Sequence, residues 1–272
     1  MQALTIKRDF GELSYYKDGP NANAPTLLGI SGFGCTHYNF LDLLPELTKY
    51  FQVILIDNRG MGKSGKTSKD YTLADVASDA LAVMAHENIN QFGLMGISMG
   101  GFIAQEIMIQ AGNKVKALAL MCTLSSGPDF FPPAGLTEEG LRQFNTFDVA
   151  LQAEFTTSAT VHPTLKEKNP SQYKKIIDLR IQNKADIEET VRQNRAAVAF
   201  LKSAIDLSVI KCPTLAMAGS LDRFVNPENT QSFAKKIKQC QVSLIDETDH
   251  FFFLEKPTDV AQTLNRFFKE IL

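Results

Sequence analysis

Short apolar runs of strand length alternate along this chain with segments of helical periodicity, and no other feature constrains the fold as tightly. Residues 26–31 (TLLGIS), 53–57 (VILID), 92–97 (FGLMGI), 116–122 (KALALMC), 214–218 (TLAMA) and 241–245 (QVSLI) are nearly continuous in apolar side chains. A strand carries that pattern when both of its faces are covered, as in a parallel sheet packed between helix layers. Helical periodicity falls near residues 39–49, 73–87, 99–111, 227–238 and 258–270, between or after these runs. Residues 3–10 and 12–17 read as an opening hairpin about Gly11. The expected class is α/β, a mainly parallel sheet flanked by helices.

One interval interrupts the alternation. Residues 127–206 hold no convincing buried strand, only helical periodicity punctuated by Pro132, Pro133, Pro163 and Pro170. A structureless loop of that length inside a compact domain is implausible, so a helical insertion is expected. The chain then divides into a core of residues 1–126 and 207–272 and an inserted helical unit of residues 127–206.

Composition removes several functional classes. Lys and Arg number 28 against 30 Asp and Glu, a net charge of −2, and no basic stripe is visible, which argues against a nucleic-acid partner. The longest apolar stretches are too short to span a bilayer, so no stable membrane span is expected. Residues 1–11 (MQALTIKRDFG) lack the apolar run of a signal peptide. The four cysteines stand singly at 35, 122, 212 and 240, with no C-x-x-C pair. A disulfide framework or metal site is therefore not expected, and a cytoplasmic location is the default.

The chemical signal is Gly96-Ile97-Ser98-Met99-Gly100-Gly101, between a strand-like and a helical run. A serine on a tight strand-to-helix turn needs small neighbours, which is the mechanical content of G-x-S-x-G, and it marks Ser98 as a nucleophile. Its hydroxyl is weak at neutral pH and needs a base. Only four histidines exist. His86 falls on a polar-ended helix, His162 precedes Pro163, and His37 follows the Gly32-Phe33-Gly34 turn, where it could line a pocket. His250 follows the last strand run at the carboxyl edge of the sheet, where catalytic groups of such sheets gather, and is the expected base. Asp222, Asp246 and Asp249 compete to orient it. Asp222 lies just beyond a strand run and is favoured; Asp249 is awkwardly adjacent to His250, and Asp246 suits a strand end. The backbone N–H of Met99, and that of Phe33 in the loop after the first core strand, are the expected oxyanion donors.

These residues, together with Asp57-Asn58-Arg59-Gly60-Met61-Gly62-Lys63-Ser64, resemble the α/β-hydrolase superfamily nearly end to end. The last run is similar to that family's D-x-R-G-x-G-x-S turn, and the order Ser98, Asp222, His250 matches its triad order. The resemblance implies that residues 127–206 form a cap over the active site. Ser31-Gly32 stands where the family often has His-Gly, a departure in how the loop is anchored and a pointer toward lactones. The Gly62-Lys63-Ser64 end of that turn lacks the earlier glycine of a phosphate-binding loop.

The expected activity is a serine hydrolase, most readily a carboxylic ester hydrolase, without a cofactor. Its substrate would be a small-to-medium, partly apolar ester, lactone or thioester cleaved through an acyl-enzyme. Carbon–carbon bond hydrolysis, a cofactor-free lyase or perhydrolase, and a ligand-binding receptor on the same fold are the alternatives. Phe144, Phe147, Phe155 and Phe200 are candidates to shape the pocket. With 19 Phe and no Trp, aromatic walls must be mainly Phe or Tyr.

Overall fold

The computed structural model describes residues 1–20 and 23–272. Eight strands form one sheet in the order β1-β2-β4-β3-β5-β6-β7-β8. They are β1 (Ala3–Arg8), β2 (Gly11–Asp18), β3 (Thr26–Ile30), β4 (Gln52–Ile56), β5 (Phe92–Ile97), β6 (Val115–Met121), β7 (Thr214–Gly219) and β8 (Cys240–Ile245). β1 and β2 pair antiparallel, as do β2 and β4. Every other ladder is parallel. The expected mixed, mainly parallel sheet is therefore present. The hairpin differs in one detail: Asp9-Phe10 make the turn, and Gly11 opens β2 opposite Arg8.

Alternate side chains of the inner strands point into two separate apolar layers. Leu94 of β5, with Leu118 and Leu120 of β6, faces helices α2 (Leu73–His86) and α3 (Met99–Ala111). Met95, Ala119 and Met121 face α1 (Leu44–Leu47) and α11 (Pro257–Lys269). α11 buries Val260, Ala261, Leu264, Phe267 and Phe268, the i, i+1, i+4, i+7, i+8 stripe of an amphipathic helix. α2 is started by a reciprocal cap, with Thr72 and Asp75 bonding each other's backbone N–H at 3.2 and 2.8 Å.

The helix expected over residues 39–49 is broken. A 3-10 turn at His37–Phe40 is followed by the single turn of α1, with Pro45 in its first turn. Proline has no N–H and its ring clashes with the preceding turn, so it is accommodated at a helix start and not inside a longer helix.

Residues 127–206 hold α4 (Glu138–Phe144), α5 (Val149–Ser158), α6 (Leu165–Lys168), α7 (Pro170–Gln182) and α8 (Ile187–Leu201), and no strand. α9 (Glu228–Lys236) and α10 (Phe252–Glu255) complete the helices. α8 is tied to the core through Glu189, which is buried and accepts from Thr67 N–H at 2.9 Å and Thr67 Oγ1 at 2.7 Å. Among the described residues, no helix is long and apolar enough to cross a membrane.

Candidate active site

β5 ends at Ile97, α3 begins at Met99, and Ser98 between them has φ 54° and ψ −121°. A residue with a Cβ reaches such a conformation only when its surroundings hold it there. Ser98 N–H donates to Met121 O at 2.8 Å, and its carbonyl accepts from Gly101 N–H at 2.8 Å and Thr123 Oγ1 at 2.7 Å. The turn is also sterically closed. A Cβ on Gly96 would lie 2.5 Å from Gly100 O, and one on Gly100 would overlap the Ile30 carbonyl. Glycine at both positions lets α3 start directly against β3 and β5, which pushes the Ser98 side chain out at the strand ends.

Two other loops at that edge meet it. His250, beyond β8, places Nε2 3.1 Å from Ser98 Oγ. Asp222, beyond β7, places Oδ2 2.9 Å from His250 Nδ1. The other oxygen of Asp222 accepts from the N–H groups of Phe224 at 2.9 Å and Val225 at 2.8 Å, which fixes the plane of the carboxylate. An ionised carboxylate facing Nδ1 favours a proton there and leaves Nε2 as the acceptor toward the serine. His250 and Asp222 are only 3% and 6% exposed, so this contact is shielded from water.

The competing aspartates lie elsewhere. Asp246 is exposed. Asp249 is fully buried but turned away from the imidazole, bonding the N–H groups of His250 and Arg223, each at 2.8 Å, and the Arg223 Nε. Arg223 extends the bracing outward, donating to Ser158 O at 3.0 Å and Val161 O at 2.8 Å. Glu255 accepts from the N–H groups of Asp249 at 2.8 Å and His162 at 2.9 Å, and burial pushes its carboxyl up to about 7. The loops carrying Asp222 and His250 are thus clamped to each other and to the end of α5.

The loop after β3 supplies the remaining polar groups. Gly32 N–H donates to Asn39 Oδ1 at 3.3 Å and Gly34 N–H to Gln193 Oε1 at 2.7 Å. Phe33 N–H, between them, has no protein acceptor among the described residues. Met99 N–H is the first of α3, where intrahelical bonding leaves donors free. Ser31 anchors this loop itself, its hydroxyl donating to Thr36 O at 2.7 Å.

The other histidines stand apart from this cluster. His37 does not line the pocket; it stacks on Tyr16 with ring centroids 3.6 Å apart and bonds Asp57 Oδ1 at 2.9 Å. His86 is exposed on the last turn of α2, and His162 bonds Thr164 Oγ1 at 2.9 Å. Asp57 also accepts from Lys63 N–H at 3.1 Å, so a side chain of the protein fills the turn that superficially resembles a phosphate loop. Arg59 anchors that turn to α2 through Asp79, at 2.7 and 2.9 Å.

Ser98 and His250 open into a cavity of about 610 Å³, bounded on the core side by residues 32–35 and on the other by α4, α5 and the end of α7. Phe144 and Phe155 line it. Phe200 instead stacks on Phe102 at 4.8 Å within the core layer, and Phe147 is 54% exposed at the edge of Phe144. Of the three consecutive rings after His250, Phe251 reaches the cavity, while Phe252 and Phe253 are core.

The family model described as alpha/beta hydrolase fold matches residues 25–257. The chain belongs to the α/β-hydrolase fold family. Among curated relatives of this hydrolase, Lipase 3 of Moraxella sp. (strain TA144) is 25% identical, the match covering 98% of this chain and 84% of the relative. The pimeloyl-[acyl-carrier protein] methyl ester esterase of Wigglesworthia glossinidia brevipalpis is 26% identical over 90% of this chain and 93% of its own length. Among solved structures, a thermophilic esterase from Thermogutta terrifontis superposes with a TM-score of 0.81 at 23% identity, covering 99% of both chains.

Several residues around this cluster carry no mark in the sequence. Glu255, Asn39 and Gln193 act on the site through backbone N–H groups, and Arg223 through the Asp249 carboxylate and backbone carbonyls, all brought near them by folding. The motif G-x-S-x-G could point to Ser98 because its requirement is local; nothing local sets these four apart from other polar residues.

Proposed function

We propose that this protein is a serine ester hydrolase working through an acyl-enzyme on a small-to-medium, partly apolar ester, lactone or thioester. The carrying observation is the relay Ser98 Oγ, His250 Nε2, His250 Nδ1, Asp222 Oδ2, with gaps of 3.1 and 2.9 Å, opening into the 610 Å³ cavity. His250 takes the proton as Ser98 attacks the carbonyl carbon, and Asp222 stabilises the imidazolium. The Phe33 and Met99 N–H groups receive the oxyanion, where each donor is worth about 3–4 kcal/mol of transition-state stabilisation. His250 returns the proton to the leaving group, then activates water to release the acid. The lipase and esterase names of the curated relatives favour ester cleavage over the alternatives that share this geometry. Residues 127–206 serve as the cap over a core of residues 1–126 and 207–272, because α4, α5 and α7 roof the cavity above Ser98.

Ser98→Ala tests this directly. Turnover of 4-nitrophenyl butyrate should fall by roughly 10⁴- to 10⁶-fold while the thermal unfolding midpoint stays within a few degrees of wild type. Covalent labelling by a fluorophosphonate should vanish with it. Undiminished turnover, or labelling retained at another residue, refutes the assignment.

A further inference from the structure

Among the residues lining the cavity, Arg180, Lys184 and His250 are the only basic side chains, and none is Asp or Glu. Arg180 occupies the last turn of α7 and Lys184 follows its end. The other structured arginines show how unusual Arg180 is. Arg8, Arg59, Arg142, Arg192, Arg195 and Arg223 each hold a carboxylate, and Arg266, which pairs with none among the described residues, is exposed to water on α11. Arg180 holds none among the described residues. Its Nη2 donates to Thr160 Oγ1 at 2.9 Å and reaches Thr156 O at 3.5 Å, both on the α5 side of the cavity. Its Nε is enclosed with no acceptor, and its Nη1 has no protein acceptor among the described residues. The guanidinium lies over the ring of Phe251, 4.4 Å from its centroid. Phe251 directly follows His250, their ring centroids 6.1 Å apart.

A guanidinium in the wall of a mainly apolar cavity, with hydrogen-bonding capacity left over and no counter-ion, is unfavourable unless an anion completes it. The fork geometry suits a carboxylate, which can take two N–H donors at once. We infer that Arg180, supported by Lys184, forms an anion subsite, and that the physiological substrate is an ester, lactone or thioester whose acyl part carries a carboxylate at its far end. This rests on the ester-hydrolase reading above. The cavity walls between Ser98 and Arg180 receive the methylene chain, while Arg180 receives the charge. Lys184 is exposed near the end of α7 and unpaired with any acid among the described residues, so it adds positive potential on the approach to that subsite.

The test compares the 4-nitrophenyl monoester of glutaric acid with 4-nitrophenyl valerate, which differs by a terminal methyl in place of the carboxylate. Wild type should favour the anionic ester in kcat/KM. Arg180→Gln should reduce the anionic-to-neutral ratio by about tenfold or more, the scale of one charge-assisted hydrogen bond. Arg180→Lys should recover part of that ratio by keeping the charge without the fork. A ratio unchanged in Arg180→Gln, or an equal fall on both esters, overturns the subsite and leaves Arg180 as a brace between α7 and Phe251. Isothermal titration with glutarate separates this claim from the hydrolase reading. Binding to wild type that is lost in Arg180→Gln supports the subsite whatever the turnover. Equal binding to both proteins, or to neither, refutes it. Failure of wild type to cleave either ester counts against the hydrolase reading instead.

Discussion

Asp222→Asn is a near-isosteric change whose consequence follows from the hydrogen bonds around it. One oxygen of Asp222 accepts two backbone N–H groups, from Phe224 at 2.9 Å and Val225 at 2.8 Å, and the other faces His250 Nδ1 at 2.9 Å. An amide has one acceptor oxygen and one donor nitrogen. Keeping both backbone bonds puts the new NH₂ group against Nδ1, which forces the imidazole proton onto Nε2 and removes the base facing Ser98. Flipping the amide restores the tautomer but turns the NH₂ toward two backbone donors, the Val225 N–H buried and the Phe224 N–H part-buried. Leaving each of those donors unsatisfied costs about 1–3 kcal/mol, or about 2–6 kcal/mol for the pair. The reactive arrangement is then populated about 30-fold to 10⁴-fold less than in wild type, at roughly 1.4 kcal/mol per factor of ten. The assay is kcat/KM on 4-nitrophenyl butyrate near neutral pH, with thermal unfolding as the control for folding. A loss within that range with an intact fold is expected. Activity within about fivefold of wild type would show that the two N–H groups do not lock the amide, and the tautomer argument would fail.

Gly100→Ala should prevent the elbow from forming as it stands, because its Cβ would overlap the Ile30 carbonyl, a backbone group unable to swing aside. A destabilisation of about 1–3 kcal/mol or more is expected from chemical denaturation, with loss of fluorophosphonate labelling; a fully stable, fully labelled variant contradicts the steric reading. Glu255, whose folded carboxyl is pushed from 4.5 to about 7 by burial, contributes stability that is complete below pH 4.5 and lost as pH rises toward and through about 7. The difference amounts to about 3 kcal/mol, at roughly 1.4 kcal/mol per factor of ten in proton affinity. Glu255→Gln should flatten that part of the stability-versus-pH curve measured by urea unfolding, and an unchanged slope in the variant would remove Glu255 as its source.

The layout of the fold was largely legible because strands and helices announce themselves within a few residues. The six central strand runs and the stripe of α11 needed only side-chain periodicity. Pro45 shows where that failed: apolar spacing continued through residues 39–49, while the missing N–H of one residue split the segment. The phenylalanines show a second limit. Phe144 and Phe200 both carry bulky apolar side chains on helices, yet one lines the cavity and the other stacks on Phe102. The outcome depends on which face of each helix meets the sheet.

By itself the sequence determined the alternating strand and helix order, the Ser98 turn and the shortlist of bases, because each rests on neighbours along the chain or on simple scarcity. Tertiary structure decided which carboxylate meets His250. Asp222 is 28 positions away and Asp249 adjacent, yet Asp222 lies beside the imidazole because β7 and β8 are parallel neighbours and their carboxyl-end loops emerge together. The same placement of strand ends brings Ser98 to a residue 152 positions further along. Folding also left Arg180 without an acid across the cavity. A side chain's partner depends on distance and direction in space, and those arise only when the sheet order and the helical segment over it are assembled.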